Sequence, residues 1–173
     1  MKRNQKLMKA LGVVAAFLAV VLGGEFSANA TAPSNISFVP VGRATMPEFD
    51  VHRNDRALDW EIELEAPQPV DVATQIVTFQ PGGYSGWHTH PGPVFFTVRT
   101  GTLTVYEGDD PLCTALVFPA GTGAVEAGTS THLHMVRNET GSIAEAVVTY
   151  MVPQGTPQSG LRIDRPNPGN CNF

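Results

Sequence analysis

A chain of 173 residues with 11 lysines and arginines against 16 aspartates and glutamates carries a formal net charge of −5. Lys2, Arg3, Lys6 and Lys9 are gathered at the extreme N-terminus, so the rest of the chain is more acidic still and holds no lysine. That excludes Schiff-base chemistry and a phosphate-loop lysine from the body of the protein, and an acidic surface without basic clusters argues against nucleic acid as a partner.

Residues 1–30 read as a secretory signal peptide. The basic head is followed by the apolar run Ala10–Leu22, punctuated only by Gly12, and then by Ala28-Asn29-Ala30, small residues at the positions a signal peptidase reads. The run falls short of the ~20 apolar residues a bilayer span needs. Cleavage after Ala30 is expected, with a secreted or periplasmic location and no membrane association afterwards. What remains is one domain's worth of chain, long enough to bury a core.

Residues 31–54 contain Pro33, Pro40 and Pro47, show no clear period, and read as an N-terminal arm along a sheet edge. His52, in a polar stretch, reads as a solvated loop residue. From 55 to 153 the pattern is that of strands. Leu58, Trp60, Ile62 and Leu64 alternate with Asp59, Glu61 and Glu63, which predicts a strand with one buried and one wet face. Val70–Phe79 is a second strand, ended by Pro81-Gly82-Gly83. Next comes Gly82–Gly101, GGYSGWHTHPGPVFFTVRTG, in which His88 and His90 lie two apart and so share a face of a strand. Val94–Arg99 and Thr102–Tyr106 form a hairpin about Gly101. Cys113–Phe118 and Gly123–Glu126 are short strands, and His132–Val136 carries a second pair, His132 and His134. Ala144–Val152 is apolar on both sides and reads as central. Residues 154–173 form a C-terminal tail. Nothing after residue 30 has a helical period, so the fold class is all-β, a sandwich or barrel.

Cys113 and Cys171 are the two cysteines. In an oxidising compartment an even count suggests a bridge, and a Cys113–Cys171 disulfide would pin the tail to the body; two free thiols are the alternative. Four of the five histidines fall into the two His-x-His pairs. Neutral imidazole is the commonest metal-donor side chain, and two such pairs on strands beside glycine turns point to a metal site.

These residues resemble the cupin superfamily, whose fold is a double-stranded β-helix or jelly-roll barrel with a metal site in its mouth. The first cupin motif runs glycine, five residues, His-x-His, three or four residues, glutamate, six residues, glycine. Gly82, His88, His90 and Gly101 match it, and Val94 stands where the glutamate belongs. The second runs glycine, five residues, Pro-x-Gly, two residues, histidine, three residues, asparagine. Gly123, His134 and Asn138 match, while Thr129 and Thr131 replace the proline and glycine. With its leader and C-terminal cysteine the chain is similar to small exported single-domain bacterial cupins. The resemblance implies His88, His90 and His134 as metal ligands.

Three imidazoles suit Zn, Fe, Mn, Ni or Cu. Glu126, near the start of the second motif, and His132, beside His134, are the candidates to replace the lost carboxylate. Val94, Phe96 and Val98 should face inward as pocket walls, Tyr84 and Trp87 should line the mouth, and Arg99 and Arg137 are the arginines that could hold a carboxylate. Two functions stay open. One is a metal-dependent enzyme on a small organic molecule, an oxygenase or an isomerase or lyase. The other is a non-catalytic metal- or small-molecule-binding module, or an inactive cupin used for interaction. A homodimer is compatible with either.

Overall fold

A computed structural model describes residues 30–128 and 132–173. The leader, but for Ala30, lies outside the described residues, as do Thr129 and Thr131. Among the described residues there is no α-helix, only a 3-10 turn at Gln158–Gly160. The twelve strands are β1 Ser34–Met46, β2 Phe49–Asp55, β3 Trp60–Ala66, β4 Val70–Tyr84, β5 His88–Thr89, β6 Val94–Thr100, β7 Thr102–Glu107, β8 Leu116–Pro119, β9 Gly123–Glu126, β10 His134–Arg137, β11 Ala144–Pro153 and β12 Ile163–Asp164. Ten form one sheet in the order β12-β5-β10-β4-β11-β6-β9, with β1 on β4, and β7 joining β10 to β8. This near-closed, all-antiparallel sheet is a jelly-roll barrel of the cupin type.

Period-two patterning explains the barrel wall. Along β4 the buried side chains are Asp71, Ala73, Gln75, Val77 and Phe79; along β11 they are Ala144, Ala146, Val148, Tyr150 and Val152. Val94, Phe96 and Val98 of β6 point the same way. These faces meet Leu103, Val105, Val136 and Leu161 in a single core. β11 lies between β4 and β6, which is why its outward residues are half-covered too.

Three local readings are corrected. β4 does not stop at Pro81 but runs to Tyr84. On one side its partner changes here from β11 to β10, where Arg137 faces Tyr84, while on the other Ser34 of β1 still pairs with Tyr84, and Gly82 takes a positive φ of 73° that turns the strand without breaking it. The alternating Leu58–Leu64 stretch does not bury its apolar face. β2 and β3 pair only with each other, Leu58 falls in the turn, and Leu58, Trp60 and Ile62 are 74%, 51% and 38% exposed. A two-stranded ribbon without a second layer has nothing to pack that face against. The second histidine strand begins at His134 rather than His132.

Residues 34–46, flanked by Pro33 and Pro47, form edge strand β1, paired with β4 from Ser34 to Met46. An edge strand tolerates Pro40 because one side of its backbone needs no ladder partner. β1, β4 and the turn after β11 are tied together at Asp71. Its carboxylate accepts from Thr45 Oγ1 at 2.6 Å, Arg43 Nη2 at 2.6 Å and the Gly155 amide at 2.8 Å. The Thr45 hydroxyl, Arg43 and the Gly155 N–H together bring its pKa down to about 2.

Cys113 and Cys171 form a disulfide with a Cα–Cα distance of 5.3 Å. The tail it fastens is no loose appendage. β12 pairs with β5, the Arg165 amide donates to Trp87 O at 2.9 Å, and the Thr31 amide donates to Arg165 O at 2.9 Å.

Two outcomes follow from these ties. The bridge closes a loop of 58 residues, for which chain entropy gives a stabilisation of about 4 kcal/mol as an upper figure. Urea denaturation of Cys113→Ser should show a loss of several kcal/mol with a barrel still formed; an unchanged midpoint would refute it. Asp71 has a folded pKa of about 2 against its ordinary 3.8, so its contribution is complete above the unfolded value and is lost as pH falls from there through the folded one. The stability gap between wild type and Asp71→Asn should therefore close across that acid window. A gap independent of pH would contradict it.

Candidate metal centre

β5 and β10 lie side by side with His134 directly opposite His88. Cross-strand partners share a face, and His90, two residues beyond His88, falls on that face as well. The three rings gather at centroid distances of 4.8 Å for His88–His90, 4.3 Å for His88–His134 and 5.2 Å for His90–His134. All three are buried, and one donor atom from each lies within 4.8 Å of the others.

Two of the rings are locked by the atoms they do not present. His88 Nδ1 lies 2.9 Å from Gly86 O, and His90 Nδ1 lies 2.7 Å from Leu161 O. A carbonyl only accepts, so each Nδ1 carries the proton and each Nε2 is left as a bare lone pair. That is the arrangement of metal-binding imidazoles. Among the described residues neither nitrogen of His134 has a partner in hydrogen-bond geometry, although both are buried. Burial, followed by the charges of His134, Arg162 and His90, pushes the His88 pKa well below its ordinary value, keeping that ring neutral and able to donate.

The carboxylate missing from position 94 arrives from another strand. β6 pairs with β9, and the residue opposite fully buried Val94 is Glu126. Glu126 Oε2 lies 3.1 Å from His90 Nε2 and 3.2 Å from His134 Nε2. Burial would raise the pKa of this carboxyl, but the charge of His134 and the contacts with His134 and His90 bring it down to about 2. A carboxyl oxygen of Glu126 thus faces the lone pair of His90 Nε2 at contact distance. Two acceptors hold that separation only with a proton or a cation between them, and a doubly protonated, fully buried imidazole is costly. Three buried imidazoles with donor atoms within 4.8 Å of one another, and a carboxylate oxygen beside two of them, fit a divalent transition metal.

The other residues singled out in the sequence lie elsewhere. His132 is outside the group of three: its Nε2 is 3.7 Å from Glu107 Oε2, and its ring is 5.3 Å from that of His134. Glu107 faces His134 across the β7–β10 ladder. His52 sits on the exposed β2–β3 hairpin, 3.5 Å from Glu61. Arg99 pairs with Glu145 at 2.8 Å on the surface. Arg137 lies over the Phe173 ring at 4.1 Å and beside Glu139 at 3.3 Å. Trp87 does not line the mouth; it is buried in a satellite cluster with Tyr106, Met135 and Cys171, against which Tyr84 packs. Asn138 braces a turn, its Nδ2 donating to Phe79 O at 3.0 Å and to Ser142 O at 2.7 Å.

A cavity of about 50 Å³ adjoins the centre. Its walls include Val77, Phe79, Phe96, Leu103 and Val148, with Tyr150 and Arg162 as polar members beside His88, His90 and Glu126. Sequence reasoning missed the last two. The inward alternation of β11 could have placed Tyr150. Nothing in local spacing marks Arg162 or the Leu161 carbonyl.

The family model for the cupin domain matches residues 75–150, a span that holds all three clustered histidines and Glu126. No curated protein matches the chain at a significant level. Among solved structures, the chain is similar to the cupin domain of an XRE-family transcriptional regulator from Enterobacter cloacae, at 14% identity over 70% of this chain and 100% of that one, TM-score 0.45. A cupin-superfamily protein from Desulfitobacterium hafniense is 10% identical over 64% and 78%, TM-score 0.41. An oxalate oxidase in complex with the substrate analogue glycolate is 24% identical over 62% and 50%, TM-score 0.40.

The pairing of Val94 with Glu126 generates a transposition test. Val94→Glu alone places a second carboxylate against a buried first, and an unpaired buried charge costs about 3–5 kcal/mol. Val94→Glu combined with Glu126→Val moves the single carboxylate across the ladder and should recover most of that loss. Thermal unfolding of the three proteins reads it; a double variant no more stable than Val94→Glu would break the cross-strand account.

Proposed function

With a cupin domain at residues 75–150, the chain belongs to the cupin superfamily, and on that footing we propose that it holds one divalent transition-metal ion on His88, His90, His134 and Glu126 and presents it to a small organic molecule outside the cytoplasm. The observation that supports this most is the pair of locked tautomers. Gly86 and Leu161 fix the protons of His88 and His90 on Nδ1, so their Nε2 atoms are committed as donors before any ion arrives. Glu126 adds the negative charge that a three-histidine set lacks.

When bound, the ion would supply a Lewis-acid centre able to polarise an oxygen of the small molecule. The chain does the rest. Phe96, Leu103 and Val148 keep bulk water from the cavity and lower its dielectric, which strengthens every charge interaction inside. The Gly86 and Leu161 carbonyls hold two rings in orientation. Export is supported by the leader pattern of residues 1–30 and by the Cys113–Cys171 bridge, since disulfides persist in oxidising compartments. Removing residues 1–30 leaves Thr31, whose hydroxyl accepts from the Trp87 amide at 2.6 Å, so the mature end would start where the chain is already tied down.

Protein recovered from the periplasm or medium should begin at Thr31 by N-terminal sequencing. Stripped and refolded with Zn, Cu, Mn, Ni or Fe(II) in turn, it should keep one equivalent of at least one of them through gel filtration. His90→Ala, His134→Ala and Glu126→Gln should each weaken retention by more than about tenfold, while His52→Ala on the hairpin should leave it unchanged. His132→Ala should have a small effect. Wild-type protein that retains none of these metals would refute the metal reading.

A further inference from the structure

Arg162 enters the barrel from the C-terminal segment. β12 pairs Ile163 with Thr89 and Asp164 with His88, which sets Arg162 opposite His90. Its Nε donates to Asp164 Oδ1 at 2.5 Å, and this contact orients the guanidinium. Its Nη2 is buried and has no hydrogen-bond partner among the described residues. A buried guanidinium N–H without an acceptor is an unusual expense in a folded protein. The side chain lines the same cavity as His88, His90 and Glu126.

Tyr150 offers a second donor to that cavity. Gln158 Nε2 donates to Gln75 Oε1 at 3.1 Å, and Gln75 Nε2 donates to the Tyr150 oxygen at 2.6 Å. The relay fixes the orientation of the Gln75 amide, so the phenol is the acceptor in this bond and its own O–H is free to donate elsewhere. The Tyr150 ring stands 5.4 Å from that of His90.

Charge and size select what would satisfy these donors. Among the groups at the cavity, a divalent ion and Arg162 would bring three positive charges and Glu126 with Asp164, which holds Arg162, would remove two, leaving one over; Glu107 lies outside the cavity lining, across the β7–β10 ladder beside His132. An anion of single charge balances the charge left over. A cavity of about 50 Å³ has room for about four water-sized groups, the size of a two-carbon acid. Access is at hand: Phe38 and Arg162 also line an outer depression with Gln75, Gln158, Ser159 and Leu161, so Arg162 stands between cavity and exterior.

We propose that this cavity binds a small carboxylate anion, with one oxygen at the metal centre and the other on Arg162 Nη2 and the Tyr150 hydroxyl. The near end of the ligand depends on the metal reading above; the far end depends on Arg162 and Tyr150 alone. A planar carboxylate suits the guanidinium because its oxygens accept along directions the N–H groups already take.

The test uses the purified chain loaded with the metal it retains, metal content being measured on every sample before titration. Acetate is the probe, and acetamide, of the same shape without the charge, is the control. Calorimetric titration should show saturable acetate binding, with acetamide at least about tenfold weaker. Arg162→Gln should keep its metal and lose acetate affinity by about tenfold or more, Arg162→Lys should recover part of it, and Tyr150→Phe should weaken it by a few fold. Unchanged far-ultraviolet dichroism and metal content separate these effects from misfolding. Metal retained with no acetate binding, or with equal binding by wild type, Arg162→Gln and acetamide, overturns the carboxylate site and leaves the metal reading standing. A wild-type chain that takes up no metal overturns both.

Discussion

Antiparallel register is the constraint on which the centre depends. A residue and its cross-strand partner stand on the same face with their Cβ atoms about 5 Å apart. One register brings His134 opposite His88, and another brings Glu126 opposite Val94. Three imidazoles are thereby gathered at one place, with the Glu126 carboxylate beside two of them. Slipping either ladder by one residue would turn a donor to the opposite face. The apolar alternation of β4, β6 and β11 holds those registers, since slippage would also expose the core. The site is precise because the wall around it is hydrophobic on one side only.

The C-terminal segment completes what the barrel begins. Leu161 supplies the carbonyl that sets the tautomer of His90, and Arg162, held by Asp164, supplies a guanidinium beside it. Both sit next to β12, which is stitched to β5, and the disulfide fastens the end of the same segment to the loop between β7 and β8. Orientation of a buried imidazole thus depends on a covalent bond formed between residues at the other side of the tail. Reduced protein would keep its barrel, but the carbonyl facing His90 would be held by strand pairing alone.

Much of this was legible in the amino-acid sequence, for reasons that can be named. Period-two alternation carries the barrel strands, and it also places Val94, Phe96 and Val98 inward. The gap at Val94 was visible too. Its compensation by Glu126 was only one of two candidates, because sequence distance says nothing about which strand lies alongside which. The β2–β3 hairpin shows the limit of alternation: the pattern specifies a face but not whether anything covers it. Trp87 was expected at the mouth from its neighbourhood to His88, yet it points into the satellite cluster, as adjacent strand residues do. Arg162 was missed because a tail rich in proline and asparagine gives no periodic signal, and its place follows from pairing with a strand more than seventy residues earlier.

Because Val94 and Glu126 face each other, a carboxylate on β9 stands where one on β6 would. Facing rungs of one ladder are equivalent seats for a side chain, so a ligand can change seats without the metal's surroundings changing shape. The two substitutions involved cannot occur at once. The route through both acids crowds two buried negative charges together, whereas the route through neither leaves three histidines that still converge. Of the two intermediate forms, the bare triad is therefore the less costly. A signature written along the chain would score the transposed arrangement as defective, while one written on the sheet face would find it whole.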